Sequence, residues 1–255
     1  MSRAAIFRAT VAKAAVLAAA LAVIPSGPPA FGETAHATVA VERRADAADS
    51  PPLAELYQSV LAFEPGAWTA LHSHTGGSYN TVVAGQVTLR IGDTDRTFGP
   101  GEGWTDEPGV LHLAGNTGSG EAQLIASMVV QRGQPPVLVV DAEDEDSAPP
   151  PGLLAMTRTI AALPSGSLAV VEQTLDLDAG VQVAQPAPLG PRLVGVLDGS
   201  VTVEMDGESH TFEAGDGWSE TAGASHVYAT GEAGARIAIT TLVPRDAPVA
   251  SAAGQ

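Results

Sequence analysis

The sequence predicts an all-β fold made of two similar antiparallel β-barrels, or jelly rolls, in tandem. Glycine and proline supply 28 and 19 of the 255 residues, which is typical of many turns between short elements. Short segments alternate apolar and polar residues and are separated by glycine turns, as strands are. The chain also matches itself at an offset of 114 residues, so both halves carry the same pattern.

The charge and composition of the chain limit its partners and its chemistry. Twelve basic and 29 acidic residues give a formal net charge of −17, which repels phosphate backbones and anionic lipid surfaces. We therefore expect no nucleic acid and no membrane surface as a partner. The chain has no cysteine, and its one lysine, Lys13, lies near the N-terminus. This composition excludes thiolate ligands, thiolate nucleophiles and catalytic lysines in the body of the protein.

The N-terminus has the parts of a secretory signal. Three basic residues precede an apolar run, Ala14 to Ile24, which is shorter than the roughly 20 apolar residues of a membrane-spanning helix. We expect residues 1–37 to be a signal peptide and the protein to be secreted, with no membrane contact after cleavage. The expected cleavage site follows Ala35-His36-Ala37, with Ala30-Phe31-Gly32 as the alternative. A buried or interfacial helix is the competing interpretation.

The internal repeat defines two domains. Residues Gly66–His112 align with Gly180–His226 and give 14 identical pairs, where chance would supply roughly three. Half of these pairs are glycines or tryptophans. A particular backbone conformation requires glycine, and a large buried packing site requires tryptophan. The pair Trp104 and Trp218 is therefore interpreted as structural.

An acidic and proline-rich segment at residues 141–151 is the predicted linker, because such a composition stays solvated and extended. The predicted N-terminal domain spans residues 38–140 and the C-terminal domain residues 152–246, followed by a tail at residues 247–255. Residues 52–60 are the one segment in these domains for which a short helix is considered.

Three of the six histidines form a candidate metal site. His72 and His74 are two residues apart, so on a strand both side chains point to the same side. His112 would reach them from another strand. Three neutral imidazoles suit a divalent transition metal, although an H-x-H pair alone often occurs by chance.

Two segments around these histidines resemble the two motifs of the cupin family. The segment from Gly66 to Gly85 is similar to G-x5-H-x-H-x3,4-E-x6-G, with Ser78 in place of the glutamate. The segment from Gly101 to Asn116 has the glycine turn, the proline-glycine corner, the histidine and the closing asparagine of the second motif. The resemblance covers both halves and implies a bicupin, with two tandem double-stranded β-helix barrels. It implies as metal ligands His72, His74 and His112.

The serine at position 78 changes the expected site. A serine hydroxyl is a poor ligand for a divalent metal, so three histidines would be completed by water or substrate. The expected cofactor is one divalent transition metal, with iron, manganese, copper, nickel and zinc all compatible. The candidate residues of a small-molecule pocket are Trp68, Ser78 and Asn80. Trp68 is an even number of residues from His72, and Asn80 is two residues from Ser78, so on a strand each pair would point to one side. Simple core packing is the alternative for Trp68.

Two acids near the second motif are interpreted as surface charges. Asp106 and Glu107 adjoin the corner at Pro108 and are expected to be solvated, with a general base at the rim of the site as the alternative.

The C-terminal copy has lost the histidine pair. Pro186 and Pro188 stand at the equivalent positions, Arg192 replaces the glutamate, and only His226 remains. We expect no metal in this half and a structural role, either packing on the first barrel or covering its mouth.

The resemblance implies two classes of function. The nearest family chemistry is dioxygenase action on an aromatic or enol substrate, so the first hypothesis is a mononuclear non-haem metal enzyme acting on a small molecule. The second hypothesis is a non-catalytic extracellular binder of a metal or small ligand, or a structural bicupin. Assembly as a homodimer is a further hypothesis.

Overall fold

The computed structural model describes residues 37–47, 53–140, 148–205 and 207–249, which all belong to one compact unit. The predicted signal peptide up to residue 36, most of the acidic linker and the end of the tail lie outside these residues. The described residues form β-strands and no helix, which confirms the all-β prediction. None of the described segments is a helix with the length and hydropathy needed to cross a bilayer.

The strands, numbered in chain order, are β1 (Ala37–Asp46), β2 (Leu53–Phe63), β3 (His72–His74), β4 (Gly77–Ala84), β5 (Val87–Ile91), β6 (Thr94–Phe98), β7 (Gly103–Asp106), β8 (Leu113–Gly115), β9 (Ala122–Gln131), β10 (Val137–Val139), β11 (Gly152–Ala162), β12 (Leu168–Leu177), β13 (Gln182–Gln185), β14 (Arg192–Met205), β15 (Glu208–Glu213), β16 (Gly217–Glu220) and β17 (His226–Pro244).

Two large antiparallel sheets carry the two halves of the chain. The first sheet has the order β11-β2-β9-β4-β7, and the smaller sheets β6-β5-β8 and β10-β3 lie in the same half. The second sheet has the order β1-β12-β17-β14-β15, with β13 paired to β17 and β16 paired to β14. The tandem arrangement predicted from the repeat is thus built as two sheet systems.

The two halves exchange their first strands. Strand β1 pairs with β12 of the second sheet, and strand β11 pairs with β2 of the first sheet over its whole length. The predicted domain boundaries therefore differ from the boundaries between the sheets. An edge strand satisfies its backbone hydrogen bonds on any free sheet edge that it can reach, so local sequence does not specify which sheet it joins.

Residues 53–60 form the first part of β2, so the short helix considered at residues 52–60 is wrong. Leu56 and Val60 of this strand are buried against residues of the second sheet, Phe63 belongs to the core of the first barrel, and the barrel-side residues between Leu56 and Phe63 are half-buried. Apolar residues on both faces obscure the alternation that marks a strand, and a short segment of this kind cannot be distinguished from a helix by its periodicity.

Each half has its own apolar core around one of the matched tryptophans. Trp104 lies 5.1 Å from Phe98 between ring centroids, and Trp218 lies 4.7 Å from Phe212. Both tryptophans belong to the buried clusters of their barrels. The identical residues of the repeat therefore perform the same packing role in each half.

A buried polar network joins the two large sheets where they pack face to face. Glu172 of β12 accepts hydrogen bonds from the hydroxyls of Thr81 and Ser127, which lie on β4 and β9. Ser127 also contacts the Thr240 hydroxyl of β17 at 2.8 Å, and Gln58 of β2 donates to the same hydroxyl at 2.9 Å. All five side chains are buried, so the network specifies how the sheets align.

Glu172 makes the stability of this interface depend on pH. Burial raises the pKa of its carboxyl to about 7, although the two hydroxyl donors and Arg43 of β1 act in the opposite direction. The folded chain therefore keeps a proton on Glu172 between about pH 4.5 and 7, where the unfolded chain has lost it. The contribution of Glu172 to the free energy of unfolding is therefore complete at low pH. It decreases, by up to about 3 kcal/mol, as the pH rises through that window.

We predict that Glu172→Gln flattens this pH dependence and raises the free energy of unfolding above that of the wild type at pH 8. Urea denaturation of both proteins at pH 5 and pH 8 measures the effect, and the exposed variant Glu64→Gln is the control. If the free energies of unfolding of Glu172→Gln and the wild type differed by the same amount at both pH values, the role of Glu172 would be contradicted.

Candidate metal centre

Backbone pairing brings the three predicted histidines together. His72 and His74 lie on β3, and His112 pairs with His72 across an isolated β-bridge. The two backbone hydrogen bonds of this bridge measure 3.1 Å from His72 N to His112 O and 2.9 Å in the reverse direction. The ring centroids are 4.3, 5.1 and 5.2 Å apart, and each ring offers one nitrogen within 4.8 Å of the others.

Each imidazole is held by a hydrogen bond from its Nδ1 to a backbone carbonyl. The acceptors are Ala70 O for His72 at 2.8 Å, Pro136 O for His74 at 3.1 Å and Val110 O for His112 at 3.0 Å. Because a carbonyl oxygen can only accept, Nδ1 carries the proton and Nε2 of each neutral ring keeps its lone pair. Such bonds orient the histidines of metal sites. The donor set therefore fits a divalent transition metal bound through three Nε2 atoms.

The surroundings keep the rings in the form that binds metal. Burial lowers the pKa of His72, and burial together with the neighbouring imidazoles brings the pKa of His74 to about 4. Both rings are therefore neutral at neutral pH. A neutral imidazole needs no deprotonation before it coordinates a metal.

A buried carboxylate stands beside the histidines. Asp106 of β7 is only 3% exposed, and its Oδ2 lies 3.4 Å from His112 Nε2 and 3.9 Å from His74 Nε2. Asn80 Nδ2 donates to this oxygen at 2.9 Å and Trp104 Nε1 donates at 3.1 Å. Burial raises the pKa of the Asp106 carboxyl, while His112 and these donors oppose the shift.

The interpretation of Asp106 as a solvated loop charge is wrong. The strand pair Ser78↔Asp106 places the aspartate on β7 opposite β4, and its side chain turns into the barrel. Glu107, the next residue, is exposed as expected. The missed signal was in the repeat, because Glu220 stands at the equivalent position and likewise follows a matched tryptophan by two residues.

The candidate pocket residues lie in different places. Asn80 lines a cavity next to the histidines, whereas Ser78 is fully buried and accepts a hydrogen bond from Asn80 at 3.1 Å. Trp68 is not among the residues that line this cavity, and its ring packs against Gly115 and lies 4.4 Å from the guanidinium of Arg90. The chain between Trp68 and β3 is not a continuous strand. An even spacing from His72 therefore does not place the tryptophan side chain on the same side as the histidines.

The cavity beside the histidines has a volume of about 230 Å³. Its walls are largely apolar and include Leu61, Leu124 and Met128, while Val137 is supplied by β10, the partner strand of β3. Trp104, predicted to be structural, lines the cavity in addition to packing in the core. The space suits a small, largely apolar molecule next to the Nε2 atoms.

The C-terminal barrel uses the equivalent positions in another way. Arg192 stands at the position equivalent to Ser78 and forms a buried ion pair with Glu220, with 3.0 Å between Nη1 and Oε2. Trp218 and Tyr228 also donate to this carboxylate. No second cluster of three metal-ligating side chains occurs among the residues that the structure describes.

Comparisons with known proteins agree with this fold. Residues 59–128 match the family model of the cupin domain. Vicilin from tomato, Solanum lycopersicum, is 14% identical, with 74% of this chain and 75% of that chain covered and a TM-score of 0.53. Procruciferin, an 11S globulin from Brassica napus, is 10% identical, with 81% and 85% covered and a TM-score of 0.51. These identities show a common fold alone.

A search of curated protein sequences found no significant match. The family model matches the part of the chain that carries the three histidines. Residues 59–128 are thus similar to the cupin domain, within a chain whose fold resembles that of vicilin and procruciferin.

Proposed function

We propose that the N-terminal barrel binds one divalent transition metal through Nε2 of His72, His74 and His112. The observation that carries this proposal is the set of three Nδ1 hydrogen bonds to backbone carbonyls, which leaves three acceptor nitrogens converging on one point. A metal ion is the partner that satisfies three converging acceptors at once.

The proposed activity is that of a dioxygenase-like enzyme on a small aromatic or enol molecule, with dioxygen as the second reactant. When bound, a divalent ion supplies Lewis-acid or oxygen chemistry beside the cavity that the histidines line. The apolar walls around Met128 and Leu124 exclude water and hold the small molecule beside the histidine nitrogens. The carbonyl contacts of the rings keep those nitrogens in place during binding.

A non-catalytic binder is the second candidate function. The observation that favours it is Ser78, which stands where the family motif has a glutamate that often serves as a ligand or proton-transfer group. We also propose that the C-terminal half is a cupin with a structural role, which makes the chain a bicupin.

Export through a signal peptide at residues 1–37 remains a proposal based on the sequence.

We predict about one divalent transition-metal ion (iron, manganese, copper, nickel or zinc) per chain in the tag-free protein and a loss of that metal in the double variant His72→Ala/His74→Ala. Elemental analysis of the two proteins measures the effect, because removal of two of three ligands leaves a single imidazole. The control His226→Ala should keep the wild-type content. Equal metal in the wild type and the double variant would refute the site.

We predict that Ala126→Phe blocks the cavity while the metal content stays at the wild-type level. Ala126 lines the cavity, and the larger ring would occupy space needed by a bound molecule. Oxygen uptake by the metal-loaded protein with a panel of phenols, aromatic acids and enols measures activity. At least about a tenfold decrease in uptake by Ala126→Phe is expected. Saturable binding by the wild type without uptake would favour the binder over the enzyme.

A further inference from the structure

We infer that Asp106 supplies the carboxylate ligand of the metal, from the strand next to the one on which Ser78 replaces the glutamate of the family motif. This role rests on the proposed metal site and adds a fourth protein ligand to it.

Asp106 and His112 face each other as two acceptors. The Nδ1 proton of His112 is donated to the carbonyl of Val110 at 3.0 Å, so its Nε2 has a lone pair in the neutral ring. An ionised Asp106 Oδ2 is also only an acceptor, and it lies 3.4 Å from that nitrogen. Two buried acceptors in such contact must share a proton or a cation, and a divalent ion bound by the histidines would serve both. The same holds for His74 Nε2 at 3.9 Å.

These separations match those of ligand atoms that share one ion. Nitrogen and oxygen ligands of zinc lie about 2.0–2.2 Å from the metal, which places two of them roughly 3.4 Å apart at a tetrahedral angle and up to about 4 Å apart at wider angles. The distances from Asp106 Oδ2 to His112 Nε2 and His74 Nε2 fall within this range. The carboxylate therefore lies at the separation of a shared ion from two of the three histidines, His112 and His74, without a change of strand register.

Two hydrogen-bond donors hold the carboxylate in this direction. Asn80 of β4 and Trp104 of β7 both donate to Oδ2, and both side chains are buried. Such contacts around a ligand orient it before the metal arrives. Ser78 leaves room for the arrangement, because a glutamate at that position would project from β4 directly opposite Asp106.

The second barrel shows what this position requires. Glu220 is equivalent to Asp106, and Arg192, equivalent to Ser78, gives it a guanidinium at 3.0 Å. Within the described part of the chain, Asp106 forms no ion pair with an arginine, since a serine occupies the equivalent place. Each barrel thus buries one acid at the same point, and a metal ion in the first barrel takes the role of the guanidinium in the second.

The test measures binding of Co²⁺ to the full chain after removal of metals with a chelator. Asp106→Asn keeps the size of the side chain but removes the charge. We expect its affinity, measured by calorimetry, to fall at least about tenfold, with a changed visible spectrum of bound Co²⁺ because one ligand is lost. The control Glu107→Gln removes a charge from the adjacent exposed residue and should bind as the wild type does.

Ser78→Arg copies the arrangement of the second barrel into the first. The introduced guanidinium is expected to pair with Asp106 as Arg192 pairs with Glu220, which abolishes Co²⁺ binding in a variant whose cooperative thermal unfolding shows that it is folded. This variant also decides the question if Asp106→Asn does not fold.

The outcomes separate the two proposals. Co²⁺ binding by the wild type together with unchanged affinity and spectrum in Asp106→Asn, or unchanged binding in Ser78→Arg, would overturn the role of Asp106 and leave the three-histidine site intact. Absence of Co²⁺ binding by the wild type would refute the metal site and, with it, the carboxylate ligand.

Discussion

The arrangement of the first barrel depends on the burial of β4 on both of its faces. Thr81 points to the second sheet, where it donates to Glu172, while Asn80 and Val82 point into the barrel. Because side chains alternate along a strand, a slip by one residue would exchange these two sets. Packing between the sheets therefore fixes the register at which β4 meets β7, and with it the position of Asp106.

The two barrels bury an acidic side chain at equivalent positions and surround it with different groups. Each buries an acid two residues after a tryptophan whose indole N–H donates to it, at 3.1 Å for Asp106 and 3.0 Å for Glu220. A buried carboxylate is costly without a compensating charge, and truncating one partner of such a pair leaves the other uncompensated. In the second barrel Arg192 provides that charge, whereas in the first barrel the acid lies beside the Nε2 atoms of two histidines, His74 and His112.

The exchange of β1 and β11 makes the two halves mutually dependent. Without β11, strand β2 would lose the hydrogen-bonding partner on one of its edges, and without β1 strand β12 would lose its partner in the second sheet. The half that carries the histidines is therefore completed by a strand from the half that lacks them. A structural role for the C-terminal barrel is consistent with this exchange, because it contributes to the sheet on which the site is built.

The sequence by itself determined the all-β class, the repeat and the histidines of the site, because alternation, glycine turns and H-x-H spacing are local properties. Only the tertiary structure decided the burial of Asp106, the direction of Trp68 and the sheet that each first strand joins. Local sequence around Asp106 is that of a solvated turn, and pairing of β7 with β4 overrides it. Such pairings join residues far apart in the chain, so no local pattern specifies which side chains they bring together.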